Sequence, residues 1–298
     1  MPSSRMFFGI LPWYSVLVTT GIVVAILCCV LQEKELSLPK DTTIDLALYV
    51  IPLGVIGARL YYVIFSWDTF ASDLLSILKV WNGGLAIYGG VIGGALACVL
   101  FSKRRKVPLL KLCDLIVPGL ALAQAIGRWG NFFNMEAYGL PVTVPALQFF
   151  PLAVQIPASG GTEWHMATFF YESVWDLGTF LAIWTRRKQR DRVGDGLLLY
   201  MLLYGAGRFL IEGLRMDSLT GTGSLRVSQL LSAVLVFVAF LCFCRRRPER
   251  RAAMFAVAAI LCALAIAVFM TGTFPLSTLL AASFSVLALS ATAIISRR

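Results

Sequence analysis

The sequence predicts an all-α fold: a polytopic transmembrane helical bundle with a seven-span core, a two-helix C-terminal extension and the N-terminus outside. Three observations predict it. Of the 298 residues, 58% are hydrophobic and only 14% charged, against about 25% charged in soluble globular chains. Apolar runs long enough to cross about 30 Å of hydrocarbon recur along the whole sequence. The dense basic clusters follow alternate runs only, as topology-determining lysines and arginines do.

The runs, in order, cover residues 11–31, 44–65, 85–101, 109–127, 166–184, 195–213, 225–243, 252–271 and 275–296. The first follows a single basic residue, Arg5. It is longer than a signal-peptide core and no small-residue cleavage site follows it, so it reads as a retained helix. The third is short and opens in "NGGLAIYGGVIGG". There Gly89 with Gly93, and Gly90 with Gly94, form small-xxx-small pairs that allow close helix approach. So thin a helix also leaves room for a bulky ligand beside Tyr88. Lys103-Arg104-Arg105-Lys106 follows the third run. Arg186-Arg187-Lys188, Arg190 and Arg192 follow the fifth, Arg245-Arg246-Arg247, Arg250 and Arg251 the seventh, and Arg297-Arg298 the ninth. The positive-inside rule then places the N-terminus outside and the C-terminus in the cytoplasm. The last two runs are rich in small residues, nearly free of polar groups and set off by "CRRRPERR". Residues 1–247 are therefore read as the catalytic core and 248–298 as an appended hairpin.

Several function classes drop out. The net charge of +10 is mostly the topology bias, suited to anionic inner-leaflet lipid, and no motif supports nucleic-acid binding. Seven cysteines lie in or beside apolar runs without metal or redox spacing, so they read as small apolar filler. His165 is the sole histidine and cannot build a histidine-based metal site. No metal and no cofactor are implied.

The polar residues inside the runs are the informative ones. A charge at mid-helix costs about 2.5–3.5 kcal/mol on insertion scales, so such groups face a bundle interior or a wet cavity. In the sixth run Tyr204, Arg208, Glu212 and Arg215 fall within an arc of about 80° at roughly 100° per residue. Arg128 ends the fourth run, Tyr14 begins the first, Arg59 lies in the outer half of the second, Tyr88 begins the third, and Tyr171 and Glu172 begin the fifth. With the orientation above, all sit toward the outside. Arg59, Arg128, Arg208 and Arg215 run against the positive-inside bias, and Glu136, Glu172 and Glu212 do not cancel them all. An excess of positive charge at that depth fits a phospholipid phosphate, which guanidinium groups hold through paired hydrogen bonds. Arg128, Asn131, Asn134 and Glu136 do not share one helical face. A helix break near Gly130, with the segment curling back to line a cavity, is expected. Arg208 and Glu212, four residues apart, are also spaced to pair with each other.

"GRWGNFFNMEAYG", residues 127–139, resembles the hallmark motif of the prolipoprotein diacylglyceryl transferase family at every fixed position. "WY" at 13–14, "GARLYYV" at 57–63, "WNGGLAIYGGVIGG" at 81–94, "YE" at 171–172 and "YGAGRFLIEGLR" at 204–215 agree in order. The resemblance covers about residues 10–245 and implies seven spans with the N-terminus outside. It implies transfer of a diacylglyceryl group from phosphatidylglycerol to the lipobox cysteine thiol of a prelipoprotein. A thioether forms and glycerol phosphate leaves, on the outer-leaflet side of the bacterial cytoplasmic membrane. Arg128 and Arg208 match the two arginines on which the family's activity depends. Asn131, Glu136, Gly139, Tyr14, Tyr204 and Glu212 match other important positions. Tyr88 departs from members with a histidine there, cast as a general base, and a phenol is a poorer base at neutral pH. The stretch near His165 also lacks the proline, serine and glutamine some members carry before "YE". The expected catalytic residues are Arg128, Arg208, Tyr88 and Glu136. Tyr14, Arg59, Gly89, Gly90, Asn131, Asn134, Gly139, Tyr204, Glu212 and Arg215 are expected to bind substrate. The competing class is a carrier or scramblase for anionic lipid, which needs polar groups at the midplane and a path to both faces.

Overall fold

The computed structural model describes residues 5–189, 192–216 and 226–248. The expected runs 252–271 and 275–296, and with them all but the first residue of the 248–298 hairpin, lie outside the described residues. Seven long helices match the first seven runs: α1 (Trp13–Gln32), α2 (Thr42–Phe65), α4 (Ile87–Arg105), α5 (Leu109–Asn134), α6 (Thr168–Arg186), α7 (Asp195–Leu214) and α8 (Val227–Arg246). A one-turn helix, α3 (Trp67–Phe70), follows α2. Six of the long helices are apolar enough to cross a membrane: α1, α2, α4, α5, α7 and α8. Helix α6 has 19 residues, but Glu172 and Asp176 set it apart from that apolar group.

The all-α expectation needs one correction. Two antiparallel ribbons accompany the helices. The first, β1 (Met6–Phe7) with β2 (Leu11–Pro12), precedes α1. The second pairs β3 (Ala153–Ala158) with β4 (Gly161–Met166), from Ala153 opposite Met166 to Ala158 opposite Gly161. Val142 extends it by donating to the Trp164 carbonyl at 2.7 Å. The sequence carried the signal: two six-residue pieces flank Ser159-Gly160, and Gly161 takes a φ of 139° that only glycine adopts readily. Such ribbons are shorter than any hydropathy window that finds spans.

The chain divides into two compact units, one of Met1–Ala25 with Val117–Arg298, the other Ile26–Ile116. Helices α1 and α5 contribute to both. In the Ile26–Ile116 unit, α2 and α4 meet through glycines. A Cβ on Gly89 would collide with the Gly57 carbonyl, and one on Gly93 with the Leu53 carbonyl. The backbones therefore touch as the Gly89–Gly93 pair predicted, whereas Gly90 and Gly94 have room for a Cβ. At the far end Arg105 pairs with Asp45, and Cys29, Leu46, Phe101, Leu112 and Leu115 close a core.

In the larger unit, Leu198, Leu202 and Ala206 of α7 pack on Val236, Ala239 and Phe243 of α8. Val117 of α5 meets Ile183 of α6 and Leu199 and Leu203 of α7. Chain direction alone separates two chemistries in this unit. The C-terminus of α6, the N-terminus of α7 and the C-terminus of α8 share the basic end, where Arg246 and Arg247 hold Asp195 at 3.0 and 3.4 Å. The C-termini of α5 and α7 and the N-terminus of α6 share the other end, and the remaining polar residues gather there.

Candidate active site

Three helices bring charges to that end. Glu172, in the second turn of α6, receives Arg128 of α5 at 2.8 Å and Arg208 of α7 at 2.5 Å, both on Oε1. Arg208 turns its other terminal nitrogen to Glu212 at 2.7 Å, and Arg215 reaches the same carboxylate at 3.8 Å. Glu172 is the hub: it is only 2% exposed and ties two guanidinium groups from different helices to one oxygen. Buried carboxylates are retained only when paired, and this one is paired twice.

The arginines are not equally committed. Arg128 makes one ion pair, through Nη2, and its side chain is one-fifth open, at 20%. Among the described residues, nothing in the protein accepts a hydrogen bond from its Nε or Nη1. Arg208 uses both terminal nitrogens on carboxylates. Arg128 thus keeps donors free of protein partners among the described residues, while Arg208 is committed to carboxylates.

The segment after α5 is folded back on the helix end. Glu136 accepts hydrogen bonds from Asn131 at 2.9 Å and Asn134 at 3.1 Å, and its own amide donates to the Asn131 carbonyl at 3.0 Å. The expected helix break near Gly130 is corrected: α5 runs on to Asn134, and the reversal comes at Met135 and Ala137, both with φ of 56°. Gly130 has a different duty. A Cβ there would stand 2.7 Å from the Tyr14 ring, so glycine lets the start of α1 lie on α5. Trp13 stacks on Phe133 at 4.7 Å beside it.

Gly139 is a crossing point. A Cβ would lie 2.9 Å from the Leu214 carbonyl and 2.7 Å from the Thr168 side chain. Leu140 donates to Leu214 at 3.0 Å, and Thr168 donates to the Ala137 carbonyl at 2.6 Å. The motif is thereby strapped to α6 and α7. Arg215 differs from expectation: α7 ends at Leu214 and Arg215 leaves in an extended conformation, opposite Gly139. It is not the last member of a helical stripe. Tyr204 stacks on Tyr200 at 5.3 Å, and Tyr200 donates to Gln124 at 3.0 Å.

Two residues outside the expected set complete the electrostatics. Glu172 was noted as a polar start to its run, but its role as the hub was not foreseen. Asp176, one turn further along α6, is 1% exposed and feels both Arg128 and Arg208. With it, Arg128, Arg208 and Arg215 stand with Glu172, Asp176 and Glu212, and Glu136, held by Asn131 and Asn134, adds a fourth carboxylate, so the expected excess of positive charge is corrected: these groups carry none. The signal was available: two carboxylates four residues apart on an apolar helix mark an inward face. His165, in β4, donates from Nδ1 to the Gly139 carbonyl at 2.9 Å and packs on Tyr138. It supports the Gly139 segment, and Glu163 lies 3.6 Å from its Nε2; among the described residues no group of three potential metal ligands includes it.

Arg59, Tyr88, Gly89 and Gly90 belong to the Ile26–Ile116 unit. Arg59 is buried among backbone carbonyls there. Tyr88 lies 6.2 Å from Tyr61, ring centre to ring centre, and Gly89 is the contact of α4 with α2.

Comparison with known proteins gives one consistent result. The sequence profile described as "Prolipoprotein diacylglyceryl transferase" matches residues 6–245. A protein of Geobacillus kaustophilus named phosphatidylglycerol–prolipoprotein diacylglyceryl transferase is 41% identical over 256 residues, covering 83% of this chain and 94% of that protein. Proteins of the same name from Streptococcus uberis and Halalkalibacterium halodurans are 40% and 39% identical, covering 80% and 83% of this chain and 92% and 88% of theirs.

Proposed function

The chain belongs to the prolipoprotein diacylglyceryl transferase family, and from that premise we propose that Arg128, Arg208 and Glu172 form the centre at which it transfers a diacylglyceryl group from phosphatidylglycerol to a prelipoprotein cysteine. It is a bacterial-type multi-pass membrane enzyme, a transferase of lipoprotein biosynthesis. The reaction is a substitution at carbon. The lipobox thiol gives up its proton, its sulfur forms a bond to the terminal glyceryl carbon, and the bond from that carbon to the phosphate ester oxygen breaks. The electron pair stays on that oxygen, and glycerol phosphate leaves.

Charge therefore builds on a phosphate oxygen, and preorganised donors aimed at developing charge are the strongest catalytic device available. The free donors of Arg128 meet the phosphate, and Arg208, fixed by Glu172 and Glu212, reinforces the field. Asn131 and Asn134 orient Glu136, which with Tyr14 and Tyr204 lines the head-group position. Gly139 and Arg215 hold the motif against α7. The nucleophile comes from the other substrate, and cations near a thiol favour its thiolate. The same guanidinium field thus serves both partners and asks little of a side-chain base, so a tyrosine at position 88 is tolerated.

The seven helices are taken as seven spans with the N-terminus outside, because the clusters at the ends of α4, α6 and α8 are basic. The catalytic end then faces away from the cytoplasm. Charges gathered at one helix end favour the transferase over a lipid carrier, which would distribute them along a path. The observation that carries the proposal is the pair of arginines joined through one buried glutamate, with donors left open on Arg128. Purified protein, phosphatidylglycerol and a lipobox peptide, followed by mass spectrometry, test it. The peptide gains one diacylglyceryl group, and an Arg128 variant does not support the gain. Modification by that variant at the normal rate removes Arg128 from the centre.

A further inference from the structure

Arg59 lies in α2, and all five of its N–H donors are taken. Nε donates to Ile77 at 2.8 Å, Nη1 to Gly83 at 2.7 Å and Gly84 at 2.9 Å, and Nη2 to Ser76 at 2.7 Å and Lys79 at 3.5 Å. Every acceptor is a backbone carbonyl of the segment between α2 and α4. The guanidinium also lies 5.0 Å over the Phe70 ring, which is buried beneath it. Glycine is obligatory at 84: φ is +75°, and a Cβ would stand 2.5 Å from Arg59 Nη1. No donor remains for a lipid phosphate.

The segment has a second side. Leu75, Leu78 and Trp81 are 72%, 70% and 77% exposed, and Trp67 and Leu74 are exposed with them. Five large exposed apolar side chains within fifteen residues, with the Asp73–Lys79 pair among them, mark a candidate interaction site. Its neighbours name the occupant. Ile64 and Phe65, at the end of α2, and Ile87 and Val91, at the start of α4, are equally exposed. They belong to helices apolar enough to cross a membrane, so the patch continues a lipid-facing surface at both ends. It joins the helix ends opposite Lys103–Lys106, which places it at the outward membrane surface. Tryptophans are enriched at that level.

We propose that the segment 67–86 is a membrane-seated strap, with Leu75, Leu78 and Trp81 inserted at the boundary between head groups and acyl chains of the outer leaflet, and that Arg59 is the positioning residue that keeps it folded with this face toward lipid. A guanidinium that caps five carbonyls of irregular backbone removes the main obstacle to laying such a segment against hydrocarbon, since unsatisfied backbone groups are excluded there. The strap and its clamp are independent of the transferase reading, because neither uses a catalytic group.

The test uses the full chain in phosphatidylcholine–phosphatidylglycerol vesicles. An environment-sensitive fluorophore is attached at Leu75→Cys, at Leu78→Cys and, as the polar reference, at Asp68→Cys, with the unsubstituted chain labelled in parallel as background. The expected result is quenching of positions 75 and 78 by nitroxides on the lipid tails, at least twofold stronger than at 68, with protection from aqueous iodide. Iodide quenching at 75 and 78 equal to that at 68 overturns the proposal. So does protection from both quenchers that fades as protein is diluted in lipid, which identifies a second copy as the occupant. Arg59→Lys, with three donors for five carbonyls, is expected to erase the contrast between 75 and 68. Its persistence in a folded variant overturns the clamp. Gly84→Ala perturbs the same contacts and replaces that arm if Arg59→Lys does not fold. No arm reads turnover, so failure here leaves the transferase reading untouched.

Discussion

Arg59 in α2 and Arg128 in α5 each sit in an apolar helix, and each carries a charge that hydrocarbon disfavours. Around Arg59, five carbonyls consume every donor. Around Arg128, a single carboxylate oxygen at 2.8 Å takes one nitrogen, and among the described residues the rest stay open. The first arrangement finishes a piece of backbone. The second leaves donors for the phosphate that the proposed function brings. A cation within a span is thus no proof of a ligand site, and its unoccupied donors decide which kind it is.

The contrast breaks most visibly at Arg128. Arg128→Lys should leave insertion and melting temperature near normal yet lower turnover by about 100-fold or more, because an ammonium cannot reproduce paired contacts to phosphate. A variant with turnover near that of the parent chain would falsify the open-donor role. Glu172→Gln should come next. It removes the carboxylate of Arg128 and one of the two carboxylates of Arg208, so a loss of stability of about 3 kcal/mol is expected along with lost activity, read by thermal unfolding and by the peptide assay together. Unchanged melting would mean that the hub bears no strain.

Arg59→Lys sharpens the other side. Its main effect should be a lower melting temperature, reflecting about 1–3 kcal/mol for carbonyls left without a partner, and a smaller drop in turnover than at Arg128. The reverse ranking, measured on the same two preparations, would put Arg59 at the substrate. Tyr88→Phe should have the smallest effect, a loss of about two- to tenfold in rate, as for one hydrogen bond removed. Complete loss of activity would restore Tyr88 as an acid–base group.

Much of this protein was legible before any coordinates. The first seven apolar runs reappear as helices within a few residues, except that α5 runs on from 127 to Asn134. Of the two glycine pairs in "YGGVIGG", Gly89 with Gly93 makes the backbone contact while Gly90 and Gly94 meet only ordinary van der Waals neighbours, and the motif at 127–139 sits on the charged cluster with Arg208 and Glu212. What was missed shares a character. The β3–β4 ribbon is too short for a hydropathy window, Gly130 makes room for Tyr14 rather than breaking α5, and Asp176 adds a buried carboxylate that no motif marks. Arg59 and Arg128 carried the same expectation because, along the chain, both are an arginine in an apolar run.

The spans, the basic ends and the family motif were set by the sequence itself, since each depends on contiguous residues: apolar length against bilayer thickness, or charge next to a helix end. Tertiary structure alone decided what each charge would face. Glu172 reaches Arg208 across 36 positions and Arg59 reaches Gly84 across 25, and no local pattern encodes such a meeting. Whether an arginine is satisfied or left waiting depends on how many acceptors converge on its five donors, and convergence exists only once helices and loops have packed.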